Sequence, residues 1–210
     1  MKTILCIEVG RVRRIPKVAA TLKRNKRRYD RFFHLKLAEP QVILPVSRKQ
    51  INQILQRKTE PWCVGWIGDG SIYLLSPEKY LTESSHTRKS RYWKVLAHEH
   101  AHLYIRALGK GNIPRWMNEG LASWLAGQRH RTPTWEEAMT VIGPWPEFSH
   151  SVYLVGYYWV DRLIQKYGQQ KLISIIREMG KHKSSSAFPR VFKSVYGTPW
   201  TKRSVQKLYR

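Results

Sequence analysis

The chain has 210 residues, 38 Lys+Arg against 14 Asp+Glu, and a formal net charge of +24. That length buries a core without disulfide staples, and 42% apolar residues with nine tryptophans exclude a disordered basic tail. A charge of this size points to an anionic partner such as nucleic acid, an acidic membrane surface or an acidic protein, and by itself says nothing about chemistry.

The charge is segregated. Residues 1–59 carry +13, residues 60–150 only +1, and residues 151–210 carry +10. The densest run is Lys23-Arg24-Asn25-Lys26-Arg27-Arg28, which fits a solvated helix face or an arm as well as a binding site. Cys6 and Cys63 are the only cysteines, so a disulfide framework and a Cys-rich zinc site are both excluded. No apolar run approaches the ~18 residues of a membrane helix, and the N-terminus lacks the apolar stretch of a signal peptide. The chain therefore reads as soluble and cytoplasmic, with free thiols.

In chain order, residues 16–37 predict a basic helix with Val18, Leu22, Phe32, Phe33 and Leu37 as its apolar positions. Residues 41–46 predict a short strand. Ser47-x-x-Gln50 has the form of a capping box and opens a helix carrying Ile51, Ile54 and Leu55. Residues 62–67 and 71–75 flank Gly68-Asp69-Gly70 and predict a hairpin. Ser76-Pro77 reads as a cap followed by proline at the first helical position. Residues 90–108 carry a helical apolar stripe that ends at Gly109, and residues 114–126 predict a second helix stopped by Gly127. Residues 128–149, with three prolines, read as a connecting loop. Tyr153, Tyr157, Val160, Leu163, Ile164 and Tyr167 then mark another helix, and Gly168, Gly180 and Gly197 punctuate further helical segments. A small β-element followed by helices is an α+β arrangement.

The chemistry centres on His98-Glu99-His100-Ala101-His102. Residues four apart on a helix share a face, so His98 and His102 can chelate one metal ion. Glu99 lies one step round the helix, where it reaches a water rather than the metal. Catalytic zinc sites use three protein ligands. The metzincin pattern would need Gly at 105 and His at 108, where this chain has Ile105 and Leu108. Glu119 on the next helix is the leading third ligand, being the only acidic residue between Glu99 and Glu136, and Gly120 beside it permits close helix approach. His86, His130 and His150 are weaker candidates. His100 faces away and reads as a packing or rim residue.

His98-Glu99-x-x-His102 followed by Trp116-Met117-Asn118-Glu119-Gly120-Leu121-Ala122 resembles the gluzincin metallopeptidases. The second block is similar to the Asn-Glu-Gly motif of the M1 aminopeptidase family, and more closely to the small peptidase MA-like domains. The likeness spans roughly residues 42–200, and Tyr153-Leu154-Val155-Gly156 is similar to the segment bearing the transition-state tyrosine of that family. The resemblance implies a zincin-type α+β fold: a basic N-terminal helical segment (1–40), an N-lobe with the metal-binding helices (41–127) and a helical C-terminal lobe (128–210). It also implies one Zn²⁺ per chain on His98, His102 and Glu119, Glu99 as general base and Tyr153 as oxyanion donor, with Tyr157 and Tyr158 as competing tyrosines.

Where the aminopeptidases carry a strand with an amine-gripping glutamate, this chain has Gly70-Ser71-Ile72-Tyr73-Leu74. The expected activity is therefore endopeptidase rather than aminopeptidase, with Ser71, Ile72 and Tyr73 pairing an extended, acidic peptide or protein substrate by strand addition. Two alternatives remain open. The basic ends would tether a zinc protease to nucleic acid, or the chain would be a nucleic-acid-binding protein with a non-catalytic zinc site.

Overall fold

The computed structural model describes residues 6–8, 11–13, 15–142 and 151–209. Among the described residues it is a mixed α/β structure, mostly helical, with a two-stranded and a three-stranded sheet. It divides into two compact units, Met1–Leu103 and Tyr104–Arg210, and the division falls inside a single helix.

The first unit opens with a hairpin of β1 (Cys6–Glu8) and β2 (Arg11–Arg13). Helix α1 (Pro16–Phe33) follows, with Pro16 in its first turn. Its buried Val18, Leu22, Tyr29 and Phe33 recur at helical spacing, so one side of a very basic helix is committed to the core. It stops short of residue 37 because His34 turns left-handed, φ 49°, and its N–H caps the Asp30 carbonyl. Strand β3 (Val42–Ile43) leads to α2 (Arg48–Leu55), where the Ser47 side chain accepts from the Gln50 N–H as expected. The reciprocal Gln50 bond reaches the Val46 N–H, at 2.7 Å, rather than that of Ser47.

Strands β4 (Gly65–Gly68) and β5 (Ser71–Leu74) form the predicted hairpin. Asp69 and Gly70 both take positive φ, 49° and 74°, the conformation a two-residue type I′ turn requires. The sheet order is β3-β5-β4, with β3 parallel to β5.

Ser76-Pro77 opens no helix. The chain there runs through turns, with Lys79 N–H on the Ser76 carbonyl and Thr82 N–H on the Lys79 carbonyl, both at 3.1 Å. Arg48 holds the end of these turns: its backbone N–H donates to the Glu83 carboxylate at 2.5 Å and its guanidinium to the Glu83 carbonyl at 2.7 Å. At the other end the Ser76 N–H donates to the Pro45 carbonyl at 2.8 Å, so both ends of the segment are tied to distant residues while the bonds between them are local turns.

Helix α3 (Ser90–Gly109) spans the division. In the second unit, α4 (Arg115–Leu125) precedes α5 (Trp135–Met139), which continues as one 3₁₀ turn over Thr140–Ile142. This corrects the expected loop over 128–149, of which residues 143–149 lie outside the described residues. Thr134 and Glu137 form a complete capping box, reinforced by Arg131 on the Glu137 carboxylate. Thr-x-x-Glu was a readable signal among the prolines.

Helix α6 (Ser151–Met179) is two helices joined at Gly168, φ 79° and ψ 159°. Helices α7 (Phe188–Tyr196) and α8 (Lys202–Tyr209) complete the unit. Its core is aromatic. Trp116 stacks on Trp200, while Trp159 and Trp200 donate their indole N–H groups to the Ala138 and Val141 carbonyls. Trp159 and Trp200 are thus packing residues with satisfied polar tips.

Candidate metal centre

The site starts with α3. His98, Glu99 and His102 are all buried on it, at 5, 8 and 7% exposure. Buried ionisable side chains persist only when paired or used. The Nε2 atoms of His98 and His102 are 3.0 Å apart, with the rings edge to face. Two imidazole nitrogens bound tetrahedrally to one zinc at the usual distance lie roughly 3.3 Å apart, so the rings are already spaced as co-ligands. Both nitrogens cannot carry protons toward each other at that distance; at least one presents its lone pair.

Glu119, half-buried on α4, completes the group. The ligand atoms of His98, His102 and Glu119 all lie within 4.8 Å of one another, and these three side chains can hold a metal ion. Among the described residues no fourth His, Cys, Asp or Glu joins them. His86 instead stacks on Tyr80, and His130 lies against Tyr157, so neither is a ligand. His150 lies outside the described residues.

Glu99 has a defined wall. A Cβ placed on Gly65 of β4 would meet the Glu99 Cγ at 3.0 Å and Oε1 at 3.1 Å. The absence of a side chain at 65 is what admits the carboxylate against the strand. Cys63, two residues earlier, is a free thiol whose pKa is pushed up by burial, with the Glu99 carboxylate adding to the effect and Arg48 and Arg57 opposing it.

Behind the metal face, His100 is buried and meets the Tyr29 ring edge-on, and burial lowers its pKa to about 4. The Tyr29 hydroxyl donates to the Ala97 carbonyl at 3.0 Å, and burial pushes its own pKa up. His100 is thus a packing residue that ties α1 to α3, the helix of the two candidate histidine ligands.

The strand expected to pair with substrate is closed. Ser71, Ile72 and Tyr73 lie on β5, the central strand, which is paired on both sides. Its backbone groups are engaged, and Ser71 and Ile72 are buried, so β5 has no edge for a substrate. Within this sheet the outer strand on the Glu99 side is β4. The sequence shows the hairpin, but the two-residue β3 that covers β5 is too short to signal its partner.

Gly120 does what its position suggested. A Cβ there would fall 2.2 Å from the backbone of Gly156, and one on Gly156 would fall 2.0 Å from the Trp116 carbonyl. Helices α4 and α6 therefore cross backbone to backbone. Glu119 and Tyr153 each lie within one turn of that crossing, and Tyr153 is half-exposed in the first turn of α6. Of its competitors, Tyr158 is excluded, because it is buried and donates to the Tyr209 carbonyl at 2.7 Å. Tyr157 packs on His130.

No model of a known protein family matches the chain. It is similar to YhcO, an uncharacterized protein of Bacillus subtilis (strain 168), with 29% identity over 146 residues. The similarity covers 59% of this chain and 42% of that protein, so the chain spans less than half the length of the relative it matches. No described helix is long and apolar enough to cross a membrane.

Proposed function

We propose that this chain is a zincin-type peptidase of the gluzincin kind, binding one Zn²⁺ through His98, His102 and Glu119 and cleaving internal peptide bonds. The observation that carries this reading is the convergence of two imidazoles and one carboxylate within 4.8 Å, with Glu99 buried on the same helix. Two histidines and one glutamate are a catalytic donor set, whereas structural zinc sites are closed by four protein ligands.

A divalent ion held there would supply Lewis-acid polarisation of the carbonyl oxygen and ease the ionisation of water. Glu99 takes the proton of the attacking water and delivers it to the departing amide nitrogen as the C–N bond breaks. Tyr153 donates a hydrogen bond to the oxyanion that develops on the carbonyl. An extended peptide pairs with the outer edge of β4, because Gly65 is the strand residue in contact with the Glu99 carboxylate. No carboxylate lies on β4 or β5 to grip a substrate amino terminus, which supports internal cleavage.

The test is cleavage of an unfolded protein together with metal analysis of the same samples. Glu99→Gln keeps its metal and loses about 10²- to 10⁴-fold in rate. Glu119→Ala binds less metal per chain. Tyr153→Phe keeps its metal and loses about 10²- to 10³-fold in kcat. Parental cleavage by Glu99→Gln removes the mechanism, and full metal occupancy in Glu119→Ala removes the ligand set.

A further inference from the structure

Helix α1 is divided lengthwise. Val18, Thr21, Leu22, Asn25, Tyr29 and Phe33 are buried in the first unit. Lys23, Arg24, Arg27 and Arg31 are exposed, and at 100° per residue they fall within about 100° of the opposite helix surface. The only acid on the helix, Asp30, is occupied by Lys26 at 2.6 Å. Lys17 lies over the Trp93 ring instead. The outward stripe therefore concentrates like charges at i, i+3 and i+4 spacing, an arrangement that weakens a helix on its own. The structure holds it in place by burying the other face.

We propose that this outward face of α1 is a docking surface for the phosphate backbone of duplex DNA. Three of the four cations are arginines, whose planar guanidinium matches phosphate bidentately. A bilayer is a poorer partner, because an interfacial helix must offer its apolar face and that of α1 is buried. A single strand is also poorer, because it is held by base stacking on aromatic side chains. The described large apolar residues that are exposed are Ile54, Trp62 and Leu81, none of them on α1. The major groove of B-DNA is wide enough to admit one helix, and α1 presents its basic face from the surface of a folded unit. The contact from Tyr29 to Ala97 and His100 lies on the buried face, so DNA on the outer face leaves the metal-binding helix uncovered.

The experiment measures binding of the full chain to a 20-base-pair duplex of arbitrary sequence by fluorescence anisotropy across a salt series. The first variant replaces Lys23, Arg24, Arg27 and Arg31 with Gln. The second removes the same charge from the second unit, replacing the exposed Arg190, Lys202, Arg203 and Lys207 with Gln. Each phosphate contact contributes a slope of about −0.9 in log K against log salt. The α1 variant should therefore flatten the slope by about 3 to 4 and lose at least 10-fold in affinity, while the second variant stays within about 3-fold.

Equal losses in both variants, no binding by the parent, or tighter binding to single strands or anionic vesicles would each overturn the proposal. Acetylation of the parent chain gives a readout independent of variant folding. Duplex DNA should protect Lys23 more than Lys202, and equal protection counts against the α1 face.

Discussion

Two glycine contacts do different work in this molecule. In the first unit, Gly65 faces the flexible end of a side chain, the Glu99 Cγ and Oε1. In the second, Gly120 faces the Gly156 main chain, which cannot move without moving a helix. The first contact positions a carboxylate, and the second sets the distance between two helix axes. A missing side chain can therefore serve chemistry or architecture, and the nearest atom decides which.

Three substitutions break or sharpen that comparison. Gly120→Ala should have the largest effect. Its Cβ meets rigid backbone at 2.2 Å, so destabilisation of about 3 kcal/mol or more is expected, at the upper end of overpacking. A thermal melt should fall by roughly 6–12 °C for a chain of this size. A parental melting temperature would mean that the α4–α6 crossing is looser than described. Gly65→Ala should separate stability from chemistry. Its Cβ displaces Glu99 by a few tenths of an ångström, so the melt should shift by less than about 4 °C while peptide cleavage falls at least 10-fold. Equal loss of both would make Gly65 an architectural residue like Gly120.

Thr134→Ala should have the smallest effect, about 1 kcal/mol from loss of the α5 cap. Urea unfolding measures it, and no change would mean the box contributes nothing. The pH dependence of that cap has a definite sign. Arg131, and then the Thr134 N–H, hold the Glu137 carboxyl down to about 2. Its contribution is therefore full above the ordinary carboxylate range and fades only as pH falls toward 2.

Much of the site was legible along the chain. His98, Glu99 and His102 share a turn of one helix, and 3.6-residue periodicity alone puts the two imidazoles on one face. The Asp69-Gly70 turn and the Ser47 cap were legible for the same reason, since each depends on neighbours within four residues. The turns at 76–83 were not, because their two ends are tied to distant residues, the Ser76 N–H to the Pro45 carbonyl and Glu83 to Arg48 some 35 residues away. Helix α5 is announced by Thr134-x-x-Glu137, but the prolines on either side give the segment the composition of a loop.

The charge divides in the same way. Counting by segment shows that residues 60–150 are nearly neutral and that the first 59 are strongly basic. The apolar positions already give this helix an inward side, and burial shows that Tyr29 belongs to it while Lys23, Arg24, Arg27 and Arg31 gather on the other.

What the sequence by itself determined is local: a histidine pair four residues apart, a glutamate beside it, a basic helix, a two-residue turn. Periodicity and turn chemistry act within a few residues and need no partner. The tertiary structure decided which carboxylate joins the histidines, that β5 is closed on both sides and β4 is not, and which glycine lies against a side chain and which against a backbone. Each of those depends on residues distant in the chain, and only packing brings them to one place.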